Sequence, residues 1–375
     1  MPRNAVLEVK EGKLVESINA FLKNLLEREL LDALLVPMEL PSKNMVAPAL
    51  VSNPEMLKDA NPLAPVMPVS TARVVSSMTK VAPSQRKVGV VLRPCELRAL
   101  IELVKLKQAS LENLVLIGID CFGTYSVTDY GEFCQETSTP TEEFLQRIKG
   151  GPDPLLREAC QVCEYPTPLN ADLVIGLIGM GLDKNILIQA TSPEGEHILE
   201  VLELSEGAEE EQKNREDAIS KLVASRTENR DKLFSQSQSE ATGLENLLSL
   251  FAPCVNCHNC RVACPLCYCK ECFFDSPTFE WEAEKYLGWA DKRGALRMPA
   301  DSLLYHLTRL NHMVASCVGC GLCQDACPND IPVFKIFRMV GAKVQEKFDY
   351  VPGRSLEEEL PLSVFREDEL SEVGV

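Results

Sequence analysis

Residues 254–272 read CVNCHNCRVACPLCYCKEC and place seven cysteines in nineteen positions. A chain of 375 residues is long enough to bury an apolar core and needs no disulfides to fold, so thiols at this density call for another role. The N-terminal MPRNAVLEVKEGKLVES has no apolar run of signal-peptide length, and no uninterrupted apolar stretch is long enough to span a bilayer. The expected location is the cytoplasm. Thiols stay reduced there, and sixteen cysteines in short, clustered spacings point to metal. Packing as small hydrophobes accounts for an isolated residue such as Cys134 better than for the clusters.

Within that stretch Cys254, Cys257, Cys260 and Cys264-Pro265 follow Cys-x2-Cys-x2-Cys-x3-Cys-Pro, and Cys317, Cys320, Cys323 and Cys327-Pro328 repeat it. This is the run of bacterial two-cluster ferredoxins, in which three thiolates of one motif hold a 4Fe-4S cubane and the fourth crosses to the other. Crossed ligation predicts one cluster on Cys254, Cys257, Cys260 and Cys327 and the other on Cys317, Cys320, Cys323 and Cys264. Gly319 and Gly321 allow the loop backbone to come close to the cluster. A zinc ribbon would show two separate Cys-x2-Cys pairs instead of an unbroken run of four. Residues 300–313 put Leu303, Leu304, Leu307 and Leu310 on one helical face, so helices and not a hairpin separate the two runs. This insertion resembles the α-helical ferredoxin domains of heterodisulfide reductase and succinate dehydrogenase iron–sulfur subunits.

Cys267, Cys269 and Cys272 exceed what the two runs need. With Cys134 as a borrowed fourth ligand they make a candidate further site, for which an iron–sulfur cluster is favoured over zinc, the alternative being simple packing near the clusters. The formal net charge of −17 leaves no basic stripe for a phosphate backbone and argues against nucleic acid. Acidic runs at 206–217 and 355–372 read as solvated helical surface and a loose tail.

Upstream, Leu14, Ile18, Phe21, Leu22, Leu25 and Leu26 recur at helical spacing, and apolar runs of strand length occur at 32–38, 87–92, 114–119, 172–179 and 184–190. A helix carrying Leu97, Leu100, Ile101 and Val104 lies between the second and third of these, so strand, helix, strand suggests a crossover unit. The proline-rich residues 41–70 read as an irregular loop. The expected fold class is an α/β (α+β) flavin and iron–sulfur domain over residues 1–200, followed after a charged helical connector (201–245) by an α-helical two-cluster ferredoxin domain (246–345) and an acidic tail (346–375).

Cys95 in RPCE falls at a strand end and helix start, Cys121 ends the next strand, and Cys160 and Cys163 form a Cys-x2-Cys before another. By spacing alone, two strand-end loops and a Cys-x2-Cys are able to converge on one cubane, although isolated strand-end cysteines are often core residues. Pro-Cys-Glu, Asp-Cys and Cys-x2-Cys followed by ADLVIGLIG resemble, over roughly residues 15–200, the β-subunit family of coenzyme F420-reducing hydrogenase and F420-dependent formate dehydrogenase. With CPLCYCKEC downstream, the whole chain looks most like the formate dehydrogenase branch. The resemblance implies that Cys95, Cys121, Cys160 and Cys163 hold a 4Fe-4S cluster beside an FAD that exchanges a hydride with F420. It also implies flavin contacts at Asn61, Ser70, Thr71 and Arg73, with Gly176 and Gly179 as a second guess. The glycine-rich segment that the hydrogenase subunits carry near the N-terminus is replaced by the ordinary helix ESINAFLKNLLE, and no G-x-G-x-x-G follows a strand.

These readings imply an electron-transfer subunit with three 4Fe-4S clusters, room for a fourth, and FAD. Its partners would be a catalytic α subunit of formate dehydrogenase or hydrogenase type, heterodisulfide reductase-like subunits and a hydride carrier such as F420, with no membrane span. A flavin-free iron–sulfur relay is the alternative. No side-chain acid or base is required, and His197, His258, His306 and His312 have no spacing that suggests a catalytic constellation.

Overall fold

The computed structural model describes residues 3–151, 153–207, 209–277, 282–294 and 301–364. Strands β1 (Arg3–Glu8), β2 (Ala33–Glu39), β3 (Val46–Val51), β4 (Val88–Leu92), β5 (Leu114–Ile119), β6 (Leu173–Gly176), β7 (Asn185–Ala190) and β8 (Ser205–Glu206) form one mixed sheet in the order β3-β2-β4-β5-β6-β7-β1-β8. The pairs β2–β4, β4–β5 and β5–β6 are parallel; the pairs to β3, β7, β1 and β8 are antiparallel.

Helices α1 (Leu14–Glu27), α2 (Thr71–Thr79), α3 (Pro94–Lys105), α4 (Val127–Glu136), α5 (Pro140–Lys149), α6 (Glu158–Gln161) and α7 (Pro193–Leu202) accompany the sheet. The long α8 (Glu209–Ala241) then leads to α9 (Leu244–Phe251), α10 (Asn259–Ala263), α11 (Ala283–Arg293), α12 (Asp301–Met313), α13 (Leu322–Asp325) and α14 (Val333–Lys347). The architecture is therefore a mixed α/β sheet domain followed by a helical region that carries both cysteine runs. Among the described residues no helix is long and apolar enough to cross a membrane.

Period-two alternation sends successive strand residues to opposite faces. Leu34 and Val36 enter one core with the α1 stripe, while Ala33 and Leu35 enter the other. That second core also contains Phe251, Leu266, Met313, Val318, Ile336 and Phe337, so the helical region buries its apolar side directly on the sheet domain.

The 41–70 segment departs from the loop expectation, because Val46–Val51 pairs with β2 in the register Leu34↔Val51 to Glu39↔Val46. Its Pro48 is tolerated because β3 is the sheet edge, where a missing N–H breaks no outer ladder. Residues 61–67 behind it are buried.

The charged segment after residue 200 is held down by arginines. Arg215 on α8 grips Asp120 through both terminal nitrogens, one bond measuring 2.9 Å. Arg226 donates to the Phe122 carbonyl at 2.6 Å, and Arg230 pairs with Glu164. Near the C-terminus, Arg98 Nε donates to Pro352 O at 2.8 Å and Gly353 N donates to Glu102 Oε1 at 2.8 Å, which straps residues 350–354 across α3.

Candidate iron–sulfur sites

Four cysteines from separate elements of the sheet domain meet at one cavity. Cys95 lies in the first turn of α3, Cys121 just beyond β5, Cys160 in α6 and Cys163 just after it, and all four line the same space with Arg93, Arg157 and Arg226. The local sequence explains the placement of Cys95. Pro94 occupies the first helical turn, where a missing N–H costs nothing, and Glu96 accepts from Arg93 N at 3.0 Å and from Thr71 N at 2.6 Å, so one carboxylate fixes the starts of α2 and α3.

Burial pushes the Cys95 thiol well up, and burial likewise pushes Cys121 up to about 11. For Cys160 burial is outweighed by Arg157 and by hydrogen bonds from Thr124, whose N–H lies 3.3 Å from Sγ, and the thiol is held below its ordinary value. Four deprotonated thiolates in so dry a place require positive charge, and the surrounding arginines and cluster iron are suited to supply it.

A second cavity is lined by Cys254, Cys257, Cys260 and Cys327, three residues from the first run and the last of the second. The remaining run cysteines form a third group. Burial raises the Cys264 thiol to about 12, with further upward pushes from Cys320 and Cys317, and Cys323 is raised by burial and by Cys264, Cys320 and Cys317. Gly319 and Gly321 adopt φ of 72° and 76°, the left-handed region open to glycine, as the loop turns into α13.

Cys320 also lines the first cavity, beside Cys95, Cys121, Cys160 and Cys163. Cys323, in turn, packs on the cluster formed by Cys260, Phe274 and Tyr305. The three thiol groups therefore stand in series, the Cys264/Cys317/Cys320/Cys323 group in the middle.

Several buried donors at or beside these cysteines have no hydrogen-bond partner in the protein: Arg157 Nε, Arg309 Nε and His306 Nδ1. Orphaned donors beside sets of four thiols are what a cubane, with its inorganic sulfides as acceptors, would leave when taken away. The residues present fit 4Fe-4S clusters on this ground.

The flavin candidates do not assemble in the same way. Asn61 Nδ2 is engaged by Glu39 at 2.8 Å and Thr141 at 2.9 Å, and Thr71 is buried against Glu96. Ser70 is buried at the start of α2, its Oγ without a partner. Arg73 reaches across to the carbonyls of Val262 and Cys264, the latter at 3.2 Å. Gly176 and Gly179 lie under α8, where an added Cβ would stand 3.0 Å from Arg215 Cζ and 2.7 Å from Arg215 Cα respectively. Asn61 Oδ1, like Ser70 Oγ, is buried without a partner, whereas Arg73, Gly176 and Gly179 are taken up by contacts within the protein.

The extra cysteines also part company. Cys134 packs in the α1-side core near Tyr130 and Glu39, whereas Cys267 packs in the opposite core near Arg309, Cys272 lies against Cys260, Phe274 and Tyr305, and Cys269 is exposed. No three His, Cys, Asp or Glu side chains among the described residues stand close enough to hold a single metal ion.

Sequence reasoning missed Arg157, His306 and Arg309. His306 Nε2 lies 3.4 Å from Cys254 Sγ, and Arg309 Nη1 lies 3.1 Å from Cys260 Sγ. For His306 and Arg309 the available signal was their three-residue spacing on α12, between the two cysteine runs, since such residues share a helical face. His258, inside the first run, is turned aside to Asp275 at 2.6 Å and stacks on Tyr305.

Residues 250–331 match the family model described as a 4Fe-4S dicluster domain. A mixed sheet domain is thus joined to a region that matches an iron–sulfur dicluster domain. The chain is 25% identical over 372 residues to the F420-dependent formate dehydrogenase subunit beta of Methanocaldococcus jannaschii, covering 90% of this chain and 91% of that one. It is 24% identical over 381 residues to F420-dependent formate dehydrogenase 1 subunit beta of Methanococcus maripaludis, covering 93% and 92%. A chain of the F420-reducing NiFe hydrogenase complex from Methanosarcina barkeri superposes with a TM-score of 0.45 at 12% identity, covering 65% of this chain and 94% of that one. The likeness to formate dehydrogenase β subunits read from the cysteine motifs thus extends along nearly the whole chain.

Proposed function

We infer that the chain is the electron-transfer β subunit of a formate dehydrogenase- or hydrogenase-type complex, passing single electrons along three 4Fe-4S clusters to or from a catalytic partner subunit. The ligand sets are Cys95/Cys121/Cys160/Cys163, then Cys264/Cys317/Cys320/Cys323, then Cys254/Cys257/Cys260/Cys327. The observation that carries this reading is the place of Cys320, which lines the cavity of the first set while belonging to the second. The protein's part is to hold the centres in order and exclude water between them; the redox chemistry belongs to the clusters.

Relatives named for F420 act with a hydride carrier, which delivers electrons in pairs, whereas a cubane accepts one at a time. FAD supplies that conversion when bound. Arg73, Gly176 and Gly179 are taken up by contacts within the protein, and this favours a second reading, a flavin-free relay linking a partner oxidoreductase to a heterodisulfide reductase-like complex.

Flavin content of anaerobically purified protein, followed by addition of FAD and assay of cluster reduction by reduced F420 and by NADH, decides between them. About one FAD per chain with carrier-dependent bleaching of the clusters supports the hydride-linked subunit. Iron without flavin, unchanged after reconstitution, leaves the relay.

A further inference from the structure

A buried arginine stands at each junction of the series. Arg157, its side chain 8% exposed, lines the cavity shared by Cys160 and Cys320, with Nη2 3.9 Å from Cys160 Sγ and Nη1 3.5 Å from Asp325. Arg309, 3% exposed, donates through Nη1 to Cys260 Sγ at 3.1 Å and through Nη2 to Cys260 O at 3.0 Å. Cys323 of the middle set packs on the same Cys260 and Tyr305 cluster. The rings of Phe337 and Tyr305 lie 5.2 and 5.6 Å from the Arg309 guanidinium carbon and help keep it dry.

Each arginine also keeps an Nε–H that is buried with no acceptor in the protein. A buried donor left unpaired costs about 1–3 kcal/mol, so its recurrence at both junctions marks a missing acceptor. Cluster sulfide carries the negative charge that such an acceptor needs.

We propose that Arg157 and Arg309 are positioning residues that set the reduction potentials of the clusters on either side of each junction, aiming guanidinium N–H groups at cluster sulfide and fixing a positive charge between neighbouring centres. This rests on each set of four thiolates holding a cubane. When such a centre is reduced it gains one electron, no bond forms or breaks, and one negative charge must be accommodated. A permanent cation in a dry interior favours that more negative state, and one placed between two centres favours it in both. Arginine stays charged throughout, so no proton need follow the electron.

The test is an EPR-monitored redox titration of the anaerobically purified full chain and its Arg157→Gln, Arg309→Gln and Arg309→Lys variants. Arg309→Gln is expected to lower both dicluster potentials by a tenfold change in the one-electron equilibrium, about 59 mV, and to spare the Cys95 centre. Arg157→Gln lowers the Cys95 and middle centres and spares the Cys254 centre. Arg309→Lys, keeping the charge without the planar fork, falls between wild type and glutamine. Unchanged potentials in both glutamine variants at full iron content overturn the proposal. Should the glutamine variants lose iron, wild-type protein with arginine carrying heavy nitrogen decides the matter by pulsed EPR. Coupling of arginine nitrogen to the reduced dicluster centres that disappears in equally labelled Arg309→Lys protein upholds the proposal, and coupling that is absent or unchanged by that substitution overturns it. Wild-type protein lacking iron and acid-labile sulfide overturns the cubane reading and this proposal with it.

Discussion

Gly321 and Ala159 meet so closely that a Cβ on Gly321 would stand 2.3 Å from the Cβ of Ala159. Gly321 lies between Cys320 and Cys323, and Ala159 precedes Cys160, so this contact sets how near the second cysteine run comes to the cysteines of the sheet domain. With φ of 76° at Gly321, Gly321→Ala adds backbone strain to the clash, and a stability loss of about 2 kcal/mol is expected. The junction must also widen. Thermal unfolding checks the first effect, and slower reduction of the dicluster centres after flash reduction of the sheet-domain cluster checks the second.

Asp120 anchors α8. Its carboxylate accepts from Arg215 at 2.9 Å, from Leu177 N at 2.8 Å and from Ile178 N at 2.9 Å, all buried. Asp120→Ala leaves the arginine charge unpaired in the interior and is expected to cost about 3–5 kcal/mol in urea unfolding. Adding Arg215→Met to that variant removes the stranded charge and should recover part of the loss. No recovery would show that the backbone bonds, and not the ion pair, dominate.

Tyr350 governs an alkaline limit. Burial, reinforced by its hydrogen bond to Glu102 at 2.5 Å, raises the phenol above its ordinary value of 10.0. A raised folded value means that the stabilisation is whole below the unfolded value and is lost as pH climbs toward the folded one, since only the unfolded chain releases the proton in that window. Stability should therefore fall above pH 10, and Tyr350→Phe should remove about 1.4 kcal/mol per pH unit from that slope. Chemical unfolding at three alkaline pH values measures it.

Much of the molecule was legible because its determinants are local. The run at 114–119 is β5 residue for residue, and the cysteine spacings marked the region that matches a dicluster domain. Errors arose where tertiary contacts override local pattern. The apolar run at 172–179 stops pairing at Gly176 because Leu177 and Ile178 give their N–H groups to Asp120. The proline-rich stretch hides β3, since proline is a poor strand signal except at an edge, and edge position is not visible in a sequence. Arg157 and Arg309 belong to no motif, and only the fold brings them beside the cysteines. The flavin candidates came from a family resemblance, and that could not show that Arg73 spans to the Cys264 carbonyl.

Three cubanes in series are tested by iron and acid-labile sulfide per chain in protein purified without oxygen, alongside the Cys95→Ala and Cys134→Ala variants. About twelve iron and twelve sulfide are expected, with a loss of about one third in Cys95→Ala and no loss in Cys134→Ala. About eight iron in the wild type, unchanged by Cys95→Ala, would leave only the dicluster region and contradict the series.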